Sequence, residues 1–210
     1  MAPQFLSRLA LTGLWTLAGV VAAQFAWADD ASSLIAEARR AFMLHGKPIP
    51  PEIFRDFGDG DLADSSSIRV TIDAEAAIGS NLYYDEITKN GGWVHQKTAS
   101  GERAGEETAY HFIGATQNGL LVFVTSWQGG GSGDFISLHI LDIAAARAFD
   151  LDGKPYQRIN VTTLRRIPLG DHWNGDVTIA KNTIHVVTTR SGPADDSGAK
   201  REKVFEAVRP

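Results

Sequence analysis

The chain has 210 residues, with 20 basic and 25 acidic side chains, a formal net charge of −5 and no cysteine. A mildly acidic protein has no electrostatic footprint for nucleic acid or anionic lipid. Without cysteine there is no disulfide, no thiolate metal site and no cysteine nucleophile.

The first segment reads as an export signal. Arg8 is the one charge ahead of an apolar run over residues 9–23, and Ala26-Trp27-Ala28 then offers small residues at the two positions that a signal peptidase inspects. Cleavage is expected after Ala28, so that the mature chain starts at Asp29. No cysteine follows to take a lipid, and no paired arginine marks the alternative export route. The expected product, residues 29–210, is one domain of the periplasm or the exterior with no stable membrane anchor.

Residues 33–44 form the one convincing helical pattern, with Leu34, Ala38, Ala41 and Phe42 on one face, serine at the start, and Gly46 and Pro48 beyond the end. Residues 47–67 read as irregular. The period then changes to two: residues 68–72 alternate, and residues 93–98 form another candidate strand after the turn chemistry of Lys89-Asn90-Gly91-Gly92.

A hairpin over residues 108–127 is expected around Asn118-Gly119, because a type I′ turn needs φ > 0 at both central residues. That register sets Ala115 opposite Val122, Ile113 opposite Val124 and His111 opposite Ser126. Tyr110, Phe112, Leu121, Phe123 and Trp127 share the other side. With both faces apolar, the ribbon belongs inside a sandwich or between a sheet and a helix.

Residues 135–143 read as a strand, 144–149 as either a helical turn or its continuation, 152–155 as a turn and 158–167 as a strand. A second hairpin over residues 176–190 turns on Lys181-Asn182, with Val177, Ile179, Ile184 and Val186 on one face. Residues 192–203 read as polar and mobile, and residues 204–208 as a strand that closes a sheet. Together these elements predict a mostly β fold, an antiparallel sandwich or barrel-like meander of about eight strands with one N-terminal helix.

No catalytic motif is present, and no cofactor is implied. The six histidines lack His-x-His or His-Glu-x-x-His spacing, and the strand histidines His111, His139 and His185 would form a site only by converging in space. In the second hairpin His185 faces Thr178 and lies diagonal to Asp176. The aspartates from Asp56 to Asp64 miss the spacing of a calcium loop, and Gly129-Gly130-Gly131-Ser132-Gly133 lacks the lysine and helix of a phosphate loop. The densest polar-aromatic segment is Asp171, His172, Trp173, Asn174, Gly175 and Asp176. It is the expected ligand-binding loop, beside the glycine loop at one end of the sheet, and His172 is its titratable group.

The function expected is an exported domain that binds an envelope partner or a small ligand through loops on a β scaffold. The alternative is a periplasmic hydrolase or metal-dependent enzyme that uses histidine and aspartate.

Overall fold

A computed structural model describes residues 31–56, 69–79, 86–99, 101–189 and 200–209. The expected signal peptide, the aspartate-rich run beyond Asp56 and most of residues 192–203 lie outside the described residues.

Helix α1 runs through residues 31–41 and buries Ala31, Leu34 and Ala38, whereas Ala41 is exposed. It stops three residues short of the expected end, and Phe42 is the reason. The Phe42 N–H still donates to the Ala38 carbonyl at 2.8 Å, yet its φ is +50°, a left-handed conformation unfavourable for a bulky side chain. That turn drops the ring into a cluster with Phe54, Tyr110, Phe112 and Phe123, with centroids 4.4–6.2 Å away. Full burial of a phenylalanine is worth roughly 1.5–3 kcal/mol, comparable with the local strain. Strands β1 (Met43–Leu44) and β2 (Lys47–Pro48) then pair across a two-residue turn, His45 at φ +52° and Gly46 at φ +73°. A short helix, α2 (Glu52–Asp56), occupies part of the stretch expected to be irregular, and α3 (Ala74–Gly79) follows β3 (Thr71–Asp73).

The main sheet is antiparallel and curled, with seven strands in the order β3-β9-β8-β7-β6-β5-β4. Its other members are β4 (Glu86–Asn90), β5 (Trp93–Lys97), β6 (Glu107–Ala115), β7 (Leu121–Gln128), β8 (Phe135–Phe149) and β9 (Pro155–Asp171). The ambiguous residues 144–149 thus continue a strand, and β4 was missed. A second sheet, in order, holds β10 (Gly175–Ala180), β11 (Thr183–Thr189) and β12 (Lys200–Glu206). Twelve strands stand among the described residues, so the mostly β, antiparallel class is correct, and the count of about eight was low.

The main sheet is apolar on both faces. On one, the helices cover Tyr110, Leu121, Phe123, Leu141 and Ile143. On the other, the second sheet packs Ile184 and Val186 over Leu120, Val122, Val124, Leu138 and Ile140. Residues directly opposite in adjacent strands share a face, so the β6–β7 pairing decides which side chains enter which core.

That pairing differs from the expected one. His111 stands opposite Val124 and Phe112 opposite Phe123, the register slips between Phe112 and Gly114, and Ala115 pairs with Leu121. The connection is a longer loop over residues 116–120, in which Gly119 has φ +82° while Asn118 is not left-handed. It is therefore not a type I′ turn. The second hairpin has the expected register, Val177 opposite Val186, Thr178 opposite His185 and Ile179 opposite Ile184, with Lys181 at φ +58°.

Candidate functional site

Residues 171–176 link β9 to β10. Much of their polarity is used to hold the link in place. An Asp171 carboxylate oxygen accepts the Asp134 N–H at 2.8 Å, and the His172 N–H donates to the Asp134 carbonyl at 2.8 Å. Asp134 immediately follows the glycine loop, and its own carboxylate accepts from the Ser126 hydroxyl. The expected adjacency of the two loops is therefore observed. Trp173 donates its indole N–H to Thr188 Oγ1 at 2.9 Å and packs on the second core, and the Asn174 carbonyl accepts the Thr189 N–H at 2.9 Å. Asp176 is exposed opposite Val187. His172 sits at φ +49° with its ring exposed, Nε2 lying 3.7 Å from Asp171 Oδ1. Of the expected ligand-binding residues, Asp171 and His172 are together, and Trp173 is turned inward.

The strand histidines do not converge. His111 shares the face of Val124, His139 that of Phe123, and His185 points away from Ile184 and Val186, so the three occupy separate surfaces. Three exposed or half-exposed histidines each meet a glutamate: His45 with Glu75 at 3.1 Å, His95 with Glu107 at 2.7 Å and His185 with Glu202 at 2.7 Å. The diagonal partner of His185 is thus on β12 and is not Asp176. His139 is buried against the Phe54 ring at 5.2 Å, and among the described residues its Nδ1 has no hydrogen-bond partner. Burial, with the Arg166 cation adding to it, pushes its pKa down to about 3, so the ring is neutral at any ordinary pH. Among the described residues no group of three potential metal ligands comes together.

A second recess lies elsewhere. A groove of about 550 Å³ runs between α1 and β8, lined by Ser32, Ile35 and Arg39 on the helix, Asp142, Ile143, Ala144 and Ala145 on the strand, and Arg209. Asp142 is already satisfied: its Oδ1 accepts the Ile143 N–H at 2.9 Å and meets the Arg209 guanidinium at 3.0 Å. Arg39 is different. Its guanidinium lies over Gly119, its Nε is shielded from solvent, and among the described residues that Nε has no hydrogen-bond partner and the side chain forms no ion pair. A shielded donor normally finds an acceptor, and leaving one unsatisfied costs about 1–3 kcal/mol. Sequence reasoning missed this groove because Arg39 read simply as the polar side of α1, and the alanines after Ile143 gave no chemical signal.

No family model matches the chain, and comparison with curated proteins and with solved structures likewise yields no match.

Proposed function

We propose that this chain is an exported binding domain of the cell envelope whose recognition groove lies between α1 and β8. It takes a small ligand or a partner segment by an oxyanion placed on Arg39. The observation that carries the reading is Arg39, half-buried in the wall of a groove of about 550 Å³ and without an ion pair among the described residues. Ligand sites commonly span about 300–1,000 Å³ and combine apolar lining with a few polar groups, and Ile35, Ile143 and Ala145 supply the apolar part here. Guanidinium forks suit carboxylate and phosphate above other acceptors.

The test is nuclear magnetic resonance of the full chain titrated with acetate and with inorganic phosphate. The Arg39 guanidinium signals should shift with saturation, and Arg39→Met should abolish the response elsewhere in the groove. If neither anion moves that signal below an ionic strength of about 0.15 M, the groove is not an oxyanion site.

The loop over residues 171–176 is the second reading. It is favoured by the contact of Asp171 and His172 with Asp134, which sets an exposed imidazole beside the open backbone of the glycine loop. On this reading His172, Asn174 and Asp176 meet the partner, while Asp171 and Trp173 hold the loop.

A further inference from the structure

We infer that the groove receives an extended peptide by strand addition to the free edge of β8, with a carboxylate of that peptide on Arg39. The inference rests on the groove being the recognition site.

The shape of the groove supplies the first argument. Successive side chains of a strand point to opposite faces. A recess that touches four consecutive residues, Asp142, Ile143, Ala144 and Ala145, therefore follows the edge of the strand and does not lie over one face. The register supplies the second. β7 accompanies β8 only from Phe135 to Leu141, while β9 continues along the opposite edge to Phe149. From Asp142 onward the β7 side of β8 has no strand partner among the described residues. The Ile143 N–H is turned to that side and held by its neighbour's carboxylate. Antiparallel alternation aims the N–H groups of Ala145 and Arg147 the same way, and among the described residues nothing comparable holds them.

The sequence of this edge matters as well. Native edges are guarded by lysine, proline, bulges or a covering element. Residues 144–149 read Ala-Ala-Ala-Arg-Ala-Phe, with four small side chains that leave the backbone open. Arg147 lies over the Phe149 ring at 5.5 Å and so does not lie along the edge as a free cation. In strand addition the main chain supplies affinity and pockets for alternate side chains supply specificity. Ile35 and Ser32 on α1 form the wall facing that edge, and Arg39 supplies the charge. Asp142 does not repel an incoming carboxylate, because Arg209 and the Ile143 N–H already occupy it. The occupant is thus an extended segment with small or apolar residues and one carboxylate, either its C-terminus or an acidic side chain.

The test pans a degenerate hexapeptide library, displayed with free C-termini, against the full chain. Selected peptides are then synthesised as free acids and as C-terminal amides. Expected are slowed hydrogen exchange at the Ala145 and Arg147 amides on binding and at least a tenfold affinity loss in Arg39→Met. Ala145→Pro should lose a similar factor with an unchanged melting temperature, since proline at an outward edge position removes a donor but spares the β8–β9 ladder. A tenfold loss on amidation assigns the carboxylate to the C-terminus, and a loss on Glu→Gln or Asp→Asn within the peptide assigns it to a side chain. Should Ala145→Pro fail to fold, exchange in the wild type still decides.

Peptides that bind without protecting β8 overturn strand addition. So does an empty selection while acetate still shifts Arg39, which leaves the oxyanion groove standing. An empty selection with no acetate response removes both readings. A dimer in solution that Ala145→Pro converts to monomer gives the edge to a second copy and overturns the peptide.

Discussion

The hairpins β6–β7 and β10–β11 carry similar turn chemistry and behave differently. Asn118-Gly119 offers a strong signal for a tight two-residue turn, yet its strands are joined by residues 116–120 with a bulge near Gly114. Lys181-Asn182 is a weaker signal, and it makes the tight turn with the register that alternation demands. The reason is that the two turns dock on each other. The Gln117 N–H donates to the Lys181 carbonyl at 2.9 Å, the Asn118 N–H to Asn182 Oδ1 at 2.9 Å, and the Asn118 side-chain amide to the Ala207 carbonyl at 2.8 Å. The first loop opens to reach its partner. Intrinsic turn preference decides geometry only where no competing acceptor is within reach.

The hairpins also differ in coverage, and the largest expected effect tests that. β7 is covered on both faces, β10 on one. Phe123→Ala empties a site among Phe42, Phe54, Tyr110 and Phe112, and it should cost about 3–5 kcal/mol in urea unfolding with an unchanged slope. Thr178→Ala on the exposed side of β10 should stay within about 0.5 kcal/mol. Equal costs would mean that the helix layer is not packed on β7.

Next in size is the histidine opposite Phe123. The folded chain takes a proton on His139 only near pH 3, whereas the unfolded chain takes one near pH 6.5. Below pH 6.5 the unfolded state therefore binds more protons, and stability falls as the pH is lowered. The contribution is fully present above pH 6.5, and about 3 kcal/mol of it is gone by pH 4. Urea unfolding of wild type and His139→Leu at pH 7 and pH 4 checks this. The variant should lose less than the wild type by roughly that amount, and parallel losses would place a solvated ring at position 139.

The docked turns come third. Asn182→Ala removes the acceptor of the Asn118 N–H, and Asn118→Ala removes the donor to Ala207, each at about 1–2 kcal/mol. Because both changes loosen one junction, the double variant should cost less than the two together, with a coupling of at least about 0.5 kcal/mol. Strict additivity would show that the two turns are held independently.

What was legible in the sequence follows the same division. Period-two alternation gave the strands of the second hairpin, and apolarity on both sides of β6 and β7 gave a ribbon enclosed between layers, as observed. The end of α1 was not legible, because Phe42 leaves the helix for a cluster assembled from α2, β6 and β7. β4 was not legible because its exposed residues Glu86, Thr88, Lys89 and Asn90 leave only Ile87 partly buried, so no apolar face repeats. For the candidate site, the neighbourhood of residues 171–176 and the glycine loop could be inferred from strand order. The groove could not, since an Arg39 without an ion pair and a strand edge without a partner, among the described residues, depend on what fails to pack beside them.

The smallest expected effect decides between the two proposed sites. His172 holds φ +49° in a link whose neighbours are tied to Asp134, Thr188 and Thr189, and its own ring is exposed. Glycine adopts that backbone without strain, so His172→Gly should raise stability slightly, by about 0.5 kcal/mol, after allowing for the freer unfolded chain. The same change deletes the imidazole, the exposed ring that the loop would offer a partner. If α1 and β8 form the recognition groove, His172→Gly binds the selected peptides and acetate as the wild type does, while Arg39→Met does not. Loss of binding in His172→Gly with retained binding in Arg39→Met would move the site to the loop. Isothermal titration of both variants, at matched pH and salt, separates the two because the stability change is in the harmless direction and cannot itself account for lost affinity.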